Sequence, residues 1–383
     1  MKYFRSFLSI ICILSMNLLL SGCWNYREVE KLAVVSGMAF DKAGDNYLVT
    51  SEIVDVKGGK DTKINTMLIT SEGCSIFDAL RKAIKKAGKR LYFSHSEIVV
   101  ISREVAEEGI IPVLDWVSRD GEPRYMLHFL VSKEKSAKEI LEQKPETMDV
   151  LSFELNDMLK AQKSLSFAPE TEEWQFMNDL SAMGISATLP TVDITSDNNK
   201  PTPEITGTGV FRQDKLVGFL NGEETKTMLF IKDKIKGGLL VKKETKGSSV
   251  TDISLEIFKN KTHVKPLFNN GKITMKITTN TDVSIGENGG AVNYIEEPAR
   301  TSLKTDIEAM LENDIKTLVK KVQEQYDSDI FGFGRSVKLA MPDMWRQLEP
   351  KWEQIFKEID VEVHSTINIK NSAFQSKPVK VGD

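Results

Sequence analysis

The chain is an alternation of short strand-like and helix-like patterns, preceded by one segment of a different kind. Ser6 to Leu20 carries no charge and is mostly apolar, with Lys2 and Arg5 ahead of it. Fifteen such residues suit a signal peptide and fall short of the roughly 20 needed to span a bilayer. Leu32–Ala39 and Tyr47–Val56 then read as strands around the turn Asp41-Lys42-Ala43-Gly44-Asp45. Ser75–Gly88 predicts a helix with Ile76, Phe77, Leu80, Ile84 and Ala87 on its apolar face. Ile98-Val99-Val100-Ile101 predicts a buried strand. Two helical pieces follow, broken at Gly109, with Pro112 in the first turn of the second. Met126–Val131 predicts another strand, Ser136 to Glu139 a capping box, and Met148, Leu151, Leu155 and Leu159 a further helix.

Ser196–Glu204 (SDNNKPTPE) is polar with two prolines and predicts a linker, residues 196–204, between domains at 23–195 and 205–372. Residues 373–383 are left as a tail. Beyond the linker, Glu204–Phe211 and Leu216–Leu220 predict a hairpin, followed by a helix over Glu223–Ile231. Strand patterns recur at Leu239–Lys242, Asp252–Phe258 and Lys272–Ile277. Ser302–Tyr326 predicts one long helix, with Leu303, Ile307, Leu311, Ile315, Leu318 and Val322 at spacings of four and three. A shorter helix near Met344–Phe356 and a strand at Val361–Ile369 complete the pattern. Strands clustered ahead of a long helix predict an α+β fold rather than a doubly wound α/β one. The expectation is two or more mixed domains, the C-terminal one an antiparallel-rich sheet packed on that helix.

Composition narrows the function. Of 383 residues, 51 are Lys or Arg and 55 Asp or Glu, a formal charge of −4 that argues against a nucleic-acid partner. Three cysteines cannot build a disulfide framework, and four histidines leave little material for a metal site. The apolar N-terminal run ends in Leu20-Ser21-Gly22-Cys23, a bacterial lipobox: an apolar residue, two small ones, then cysteine. Small residues admit an extended chain to the signal peptidase, and the Cys23 thiol is the soft nucleophile that takes a diacylglyceryl group. Residues 1–22 are therefore predicted to be a cleaved lipoprotein signal peptide. No later segment reaches 18 uncharged apolar residues, so the expected location is the outer face of a membrane, held by lipid on Cys23.

Catalytic signatures are missing: the sequence has no Walker loop, no HExxH, no G-x-S-x-G and no paired CxxC. No enzyme activity and no cofactor beyond the covalent lipid are expected. Gly207-Thr208-Gly209 and Gly332-Phe333-Gly334 lack the third glycine of a dinucleotide loop and predict tight turns or close backbone approach. His95 and His128 adjoin or occupy apolar strands and are expected to be hydrogen-bonded structural residues; Cys74 is expected to be a small packed one. Arg81, Lys82, Lys85, Lys86, Lys89 and Arg90 crowd one helix and its end. They form either a solvated face or a surface for anionic headgroups.

Four ordered blocks carry a resemblance. They are Cys23 to Asp41 (CWNYREVEKLAVVSGMAFD), Leu91 to Ser96 (LYFSHS) with the following IVVI and Arg119-Asp120, Thr206 to Glu224 (TGTGVFRQDKLVGFLNGEE), and Asp329 to Gly334 (DIFGFG) with Trp345 and Trp352. Together they resemble the Ger(x)C lipoproteins, the C subunits of nutrient-germinant receptors in endospore-forming Gram-positive bacteria. Where members of that family often carry a glycine after the last strand, this chain has Asn371-Ser372-Ala373. The resemblance implies a non-catalytic peripheral subunit in the spore inner membrane, partnered by two multi-pass membrane subunits. On that reading the Val210–Glu224 block is a candidate docking surface presenting Glu223 and Glu224. Equally, its apolar residues are hairpin core and its two acids are charges favoured at a helix N-terminus. The alternative function, a solute-binding lipoprotein serving a transporter, would need a cleft between two doubly wound lobes.

Overall fold

Apolar runs without alternation belong to strands covered on both faces, and Ile98-Val99-Val100-Ile101 is such a strand. Val99 and Ile101 point into one core with Met38, Phe40, Phe129 and Trp116. Ile98 and Val100 point into another with Leu130, Ile140, Leu155 and Leu159. The structure is a computed structural model that describes residues 3–8, 28–57, 63–246, 249–289 and 292–370. Cys23, the remainder of the signal segment and the 373–383 tail lie outside the described residues.

The first sheet has β1 (Leu32–Ala43), β2 (Asn46–Lys57), β3 (Lys63–Gly73), β4 (Arg90–Tyr92), β5 (Ile98–Ile101), β6 (His128–Ser132), β7 (Thr188–Asp197), β8 (Lys200–Arg212) and β9 (Lys215–Leu220). Their order is β3-β2-β1-β5-β6-β7-β8-β9, with β4 beside the start of β1. The centre, β1-β5-β6-β7, is parallel; both flanks are antiparallel hairpins. One face carries α1 (Ile76–Ala87), α2 (Arg103–Glu108) and α3 (Ile111–Arg119); the other carries α4 (Ala137–Leu141) and α5 (Leu151–Ala161). A sixth helix, α6 (Glu173–Ser181), follows and adds Phe176 to the first of those cores. The second sheet is β10 (Leu239–Lys246), β11 (Ser249–Asn269), β12 (Lys272–Asn288) and β13 (Asp360–Ile369) in that order, antiparallel until the parallel β12–β13 pair. Helix α7 (Gly222–Ile231) joins the sheets. The long helix α8 (Ala299–Gln325) buries all six expected apolar positions and Val319 in the core of the second sheet. The fold is mixed α+β, as the pattern predicts.

Several expectations change. Residues 196–204 are not a linker: Ser196 faces Pro201 and Asp197 faces Lys200 at the end of the β7–β8 hairpin. Proline is tolerated there because β9 pairs only with Thr208–Arg212, leaving the outer part of β8 without a second neighbouring strand. The pattern does not signal strand β3, because its outer half, Ile64 to Met67, is exposed and its apolar and polar residues do not alternate. Phe77 is 49% exposed; α1 instead buries Ile76, Ala79, Leu80 and Ala83. The stretch 344–356 is broken at Pro350 into α10 (Pro342–Leu348), a 3-10 turn and α11 (Trp352–Phe356), preceded by α9 (Phe333–Ala340).

Buried carboxylates on the strands hold the helices of the first half. Helix N-termini leave amides unpaired. Asp41 on β1 accepts from Ala137 N (2.7 Å) and Lys138 N (3.0 Å) at the start of α4, which replaces the expected Ser136–Glu139 capping box; Ser136 adds only an acceptor for Lys138 N. Burial outweighs these bonds and pushes the Asp41 carboxyl above its usual range. Glu52 on β2 accepts from Leu151 N (3.1 Å), Ser152 N (3.0 Å) and the Ser36 hydroxyl (2.8 Å), capping α5. Glu52→Gln turns an NH₂ group toward donors at either end of that carboxylate. It should lower stability by about 2–3 kcal/mol, read as a lower urea midpoint with an unchanged m-value.

Candidate anchoring and docking site

The root of the expected anchor is well placed although Cys23 itself lies outside the described residues. Leu32 opens β1 and sits in parallel register with Arg90, which opens β4 directly after α1. The chain thus emerges beside the C-terminal end of the basic helix. Among the described residues no helix is long and apolar enough to cross a membrane.

The 206–224 block divides into three parts. Val210, Phe211 and Leu220 are fully buried and Leu216 nearly so, with the Phe211 ring edge-on to Phe176 at 5.2 Å. These residues are hairpin core. Asn221 caps α7: its side chain accepts from Glu224 N (2.9 Å) while Glu224 accepts from Asn221 N (3.0 Å). The second Glu224 oxygen binds the Lys321 ammonium at 2.7 Å, tying α7 to α8. Glu224 therefore serves the fold internally. Adjacent helical residues point about 100° apart, and Glu223 faces outward, with a 71% exposed side chain paired to Lys226 at 2.6 Å. Both acids line one groove of about 430 Å³ between α7, β10 and α8, together with Leu240, Met310, Asp314 and Lys226; Glu224 is held in its wall by Lys321, and Glu223 stands at its exposed edge. Burial, reinforced by Glu223, pushes the Asp314 carboxyl up. Asp314 carried no signal in the sequence, lying mid-helix on the α8 surface.

The fourth block forms the seam between the two halves. Asp329 is buried and accepts from Gly332 N (2.9 Å), Phe333 N (3.0 Å), Gly334 N (2.8 Å) and the Trp352 indole (3.0 Å). Its carbonyl accepts from Ser186 N (2.7 Å), and Arg335 N donates to Gly184 O (2.9 Å). Arg335 also pairs with Asp179 at 3.1 Å. An added Cβ on Gly334 would lie 2.5 Å from the Gly184 Cα and 2.7 Å from the Trp352 ring. This is the close approach that Gly332-Phe333-Gly334 predicts. Burial pushes the Asp329 carboxyl up despite its donors. Nearby Lys232, at the end of α7, is pushed down to about 8, first by desolvation and then by Lys234.

The remaining candidates have structural surroundings. His128 is buried, and among the described residues neither ring nitrogen has a hydrogen-bond partner, against expectation; burial pushes its pKa down. His95 is exposed and meets Tyr92 edge-on at 6.0 Å. Cys74 is exposed rather than packed, its thiol 3.6 Å from the Asp78 carboxylate. Among the described residues no group of three or more His, Cys, Asp or Glu is arranged to hold a metal ion.

Fold and surfaces together define a two-part α+β protein organised around packed interfaces. The spore germination protein N-terminal domain family matches residues 25–194, and the spore germination B3/GerAC-like C-terminal family matches residues 206–373. Spore germination protein KC of Bacillus subtilis is 24% identical, with 98% of each chain covered. Spore germination protein B3 of the same organism is 26% identical over 93% of this chain and 95% of that one. The crystal structure of the GerBC protein superposes with a TM-score of 0.58 at 21% identity, covering 88% of this chain and 97% of that one. The chain belongs to the Ger(x)C family of spore germination proteins.

Gly334→Ala should cost about 3 kcal/mol, because backbone stands on one side of the new methyl and an indole on the other; thermal denaturation reads it. Lys232 supplies a pH signature. The unfolded chain keeps this proton up to 10.5 and the folded chain only to about 8. Stability should therefore rise with pH across that window, and Lys232→Met should flatten the rise in pH-dependent urea melts.

Proposed function

We propose that this chain is the lipid-anchored, non-enzymatic subunit of a nutrient-germinant receptor, needed for the response that starts spore germination. Diacylglyceryl on Cys23 holds both halves on the outer face of the spore inner membrane. There the subunit assembles with two multi-pass membrane proteins. The observation that carries the reading is a complete lipobox, Leu20 to Cys23, heading a chain that matches the family over both halves. Relatives named spore germination proteins KC, B3 and A3, each matching over 93% or more of this chain, support the germination role.

The physical role of the anchor is confinement. Two acyl chains hold a folded domain stably on a bilayer, and confinement raises its effective concentration at partners in the same membrane. The exposed Glu223 side of the α7–α8 groove is the docking candidate that remains, because Glu224 is occupied by Asn221 and Lys321. A solute-binding lipoprotein is the weaker reading, since the second sheet, four strands packed on α8 and antiparallel up to its last pair, is not a doubly wound lobe.

Co-purification from detergent-solubilised spore inner membrane tests the proposal. The intact chain should bring down two multi-pass proteins, and Cys23→Ala should lose most of that recovery. Recovery with a transporter, or of the chain alone, would remove the receptor role. Glu223→Gln should reduce partner recovery while the chain keeps its cooperative thermal unfolding, because the buried Lys226 ammonium retains its hydrogen bond to Leu239 O at 2.9 Å.

A further inference from the structure

Helix α1 carries a face that packing within the chain does not use. Phe77, Arg81 and Lys85 recur every four residues, and Lys89 continues the line past the Gly88 C-cap. All four are exposed. Four residues apart on a helix means one face. The Arg81 guanidinium lies over the Phe77 ring, 4.7 Å from its centroid. The phenyl is half exposed beside Leu80 and Trp116, and its outer part, under the guanidinium, is left to solvent.

The other charges nearby are accounted for. Lys82 pairs with Asp78 at 2.7 Å, Lys86 donates to Thr70 O at 2.5 Å, and Arg90 pairs with Glu122 at 2.8 Å. Arg81, Lys85 and Lys89 have no ion-pair partner among the described residues. A local excess of positive charge thus stands on a protein whose formal charge is −4.

Topology places this face near the membrane end of the chain. Leu32 and Arg90 are in register on neighbouring strands, about 4.8 Å apart. Nine residues, Cys23 to Lys31, precede Leu32. Even fully extended they reach roughly 32 Å. A lipid on Cys23 therefore keeps the basic face within about one domain diameter of the bilayer.

We propose that the Phe77, Arg81, Lys85 and Lys89 face of α1 rests on anionic lipid headgroups. The cations meet lipid phosphates and the phenyl ring enters the interfacial layer. This adds a second, electrostatic membrane contact to the acyl anchor and orients the first sheet on the bilayer. The inference takes its geometry from the anchoring of Cys23 proposed above, but the lipid contact can be read without it.

The test uses the whole mature chain, residues 23–383, carrying Cys23→Ser so that no acyl group contributes. At low salt it should sediment with phosphatidylcholine vesicles containing phosphatidylglycerol and stay in solution with phosphatidylcholine alone. Each basic contact near an anionic surface is expected to contribute about fivefold in affinity. The combined Arg81→Gln, Lys85→Gln and Lys89→Gln variant should therefore bind roughly a hundredfold more weakly, with an unchanged melting temperature because these side chains are exposed. Phe77→Ser should weaken binding at high salt, where the cations are screened. Equal binding of the unlipidated chain to both vesicle types would overturn the inference, as would undiminished binding by the triple variant. Either result alongside partner recovery by the lipidated chain would leave the receptor role in place. Vesicle binding without partner recovery would support the lipid contact and remove the receptor role.

Discussion

The seam between the two halves depends on a carboxylate removed from water. Asp329 is buried, and taking such a group out of solvent is costly unless donors replace the water it loses. Four donors do so here. Three are successive amides at the start of α9 and the fourth is the Trp352 indole. The same residue's carbonyl holds Ser186 from the first half. The arrangement needs close backbone approach, and Gly184 and Gly334 supply it by carrying no Cβ where their chains meet. The geometry is over-determined, because loss of any one contact leaves a charge or an amide without a partner.

The first half uses the same chemistry. Asp41, Glu52 and Glu154 are all buried, and each accepts from at least two backbone amides. Asp41 and Glu52 sit on strands and cap helices about a hundred positions away in sequence. Such caps do more than satisfy orphan amides: they fix where α4 and α5 sit over the parallel centre of the sheet. Hydrophobic packing alone would tolerate sliding of a short helix; a carboxylate that must meet two particular N–H groups does not.

These constraints separate what is rigid from what is free to interact. Glu224, Asp329 and the apolar residues of the 206–224 block are consumed by the fold. Glu223, the groove it edges and the basic face of α1 are not. The two free surfaces differ in chemistry and in place. One is a mixed-charge groove on the second half, suited to a protein partner. The other is a cationic face with an exposed aromatic ring, next to the root of the segment that leads to Cys23.

Much of this was legible in the amino-acid sequence. The long helix declared itself through six apolar positions at spacings of four and three, and all six are buried. Ser75 and Gly88 bounded α1 to the residue, because a side-chain cap and a left-handed C-cap are local devices. The lipobox and the four ordered blocks identified the family, since they are contiguous. Other features needed the folded chain. Residues 196–204 look like a linker because proline and polarity are local signals, whereas strand pairing is decided by what lies alongside. Phe77 fits the apolar stripe of α1 by periodicity, yet it sits at the mouth of the cleft between α1 and Trp116 and stays half exposed. Glu223 and Glu224 are neighbours in sequence, and the capping box with Asn221 together with Lys321 on α8 separates a structural acid from a surface one. Asp329 is one acid among many until Trp352 and Gly184 are brought to it. Short-range physics determined the elements and the anchor signal; the burial of charge, which depends on partners distant in sequence, was decided by tertiary structure alone.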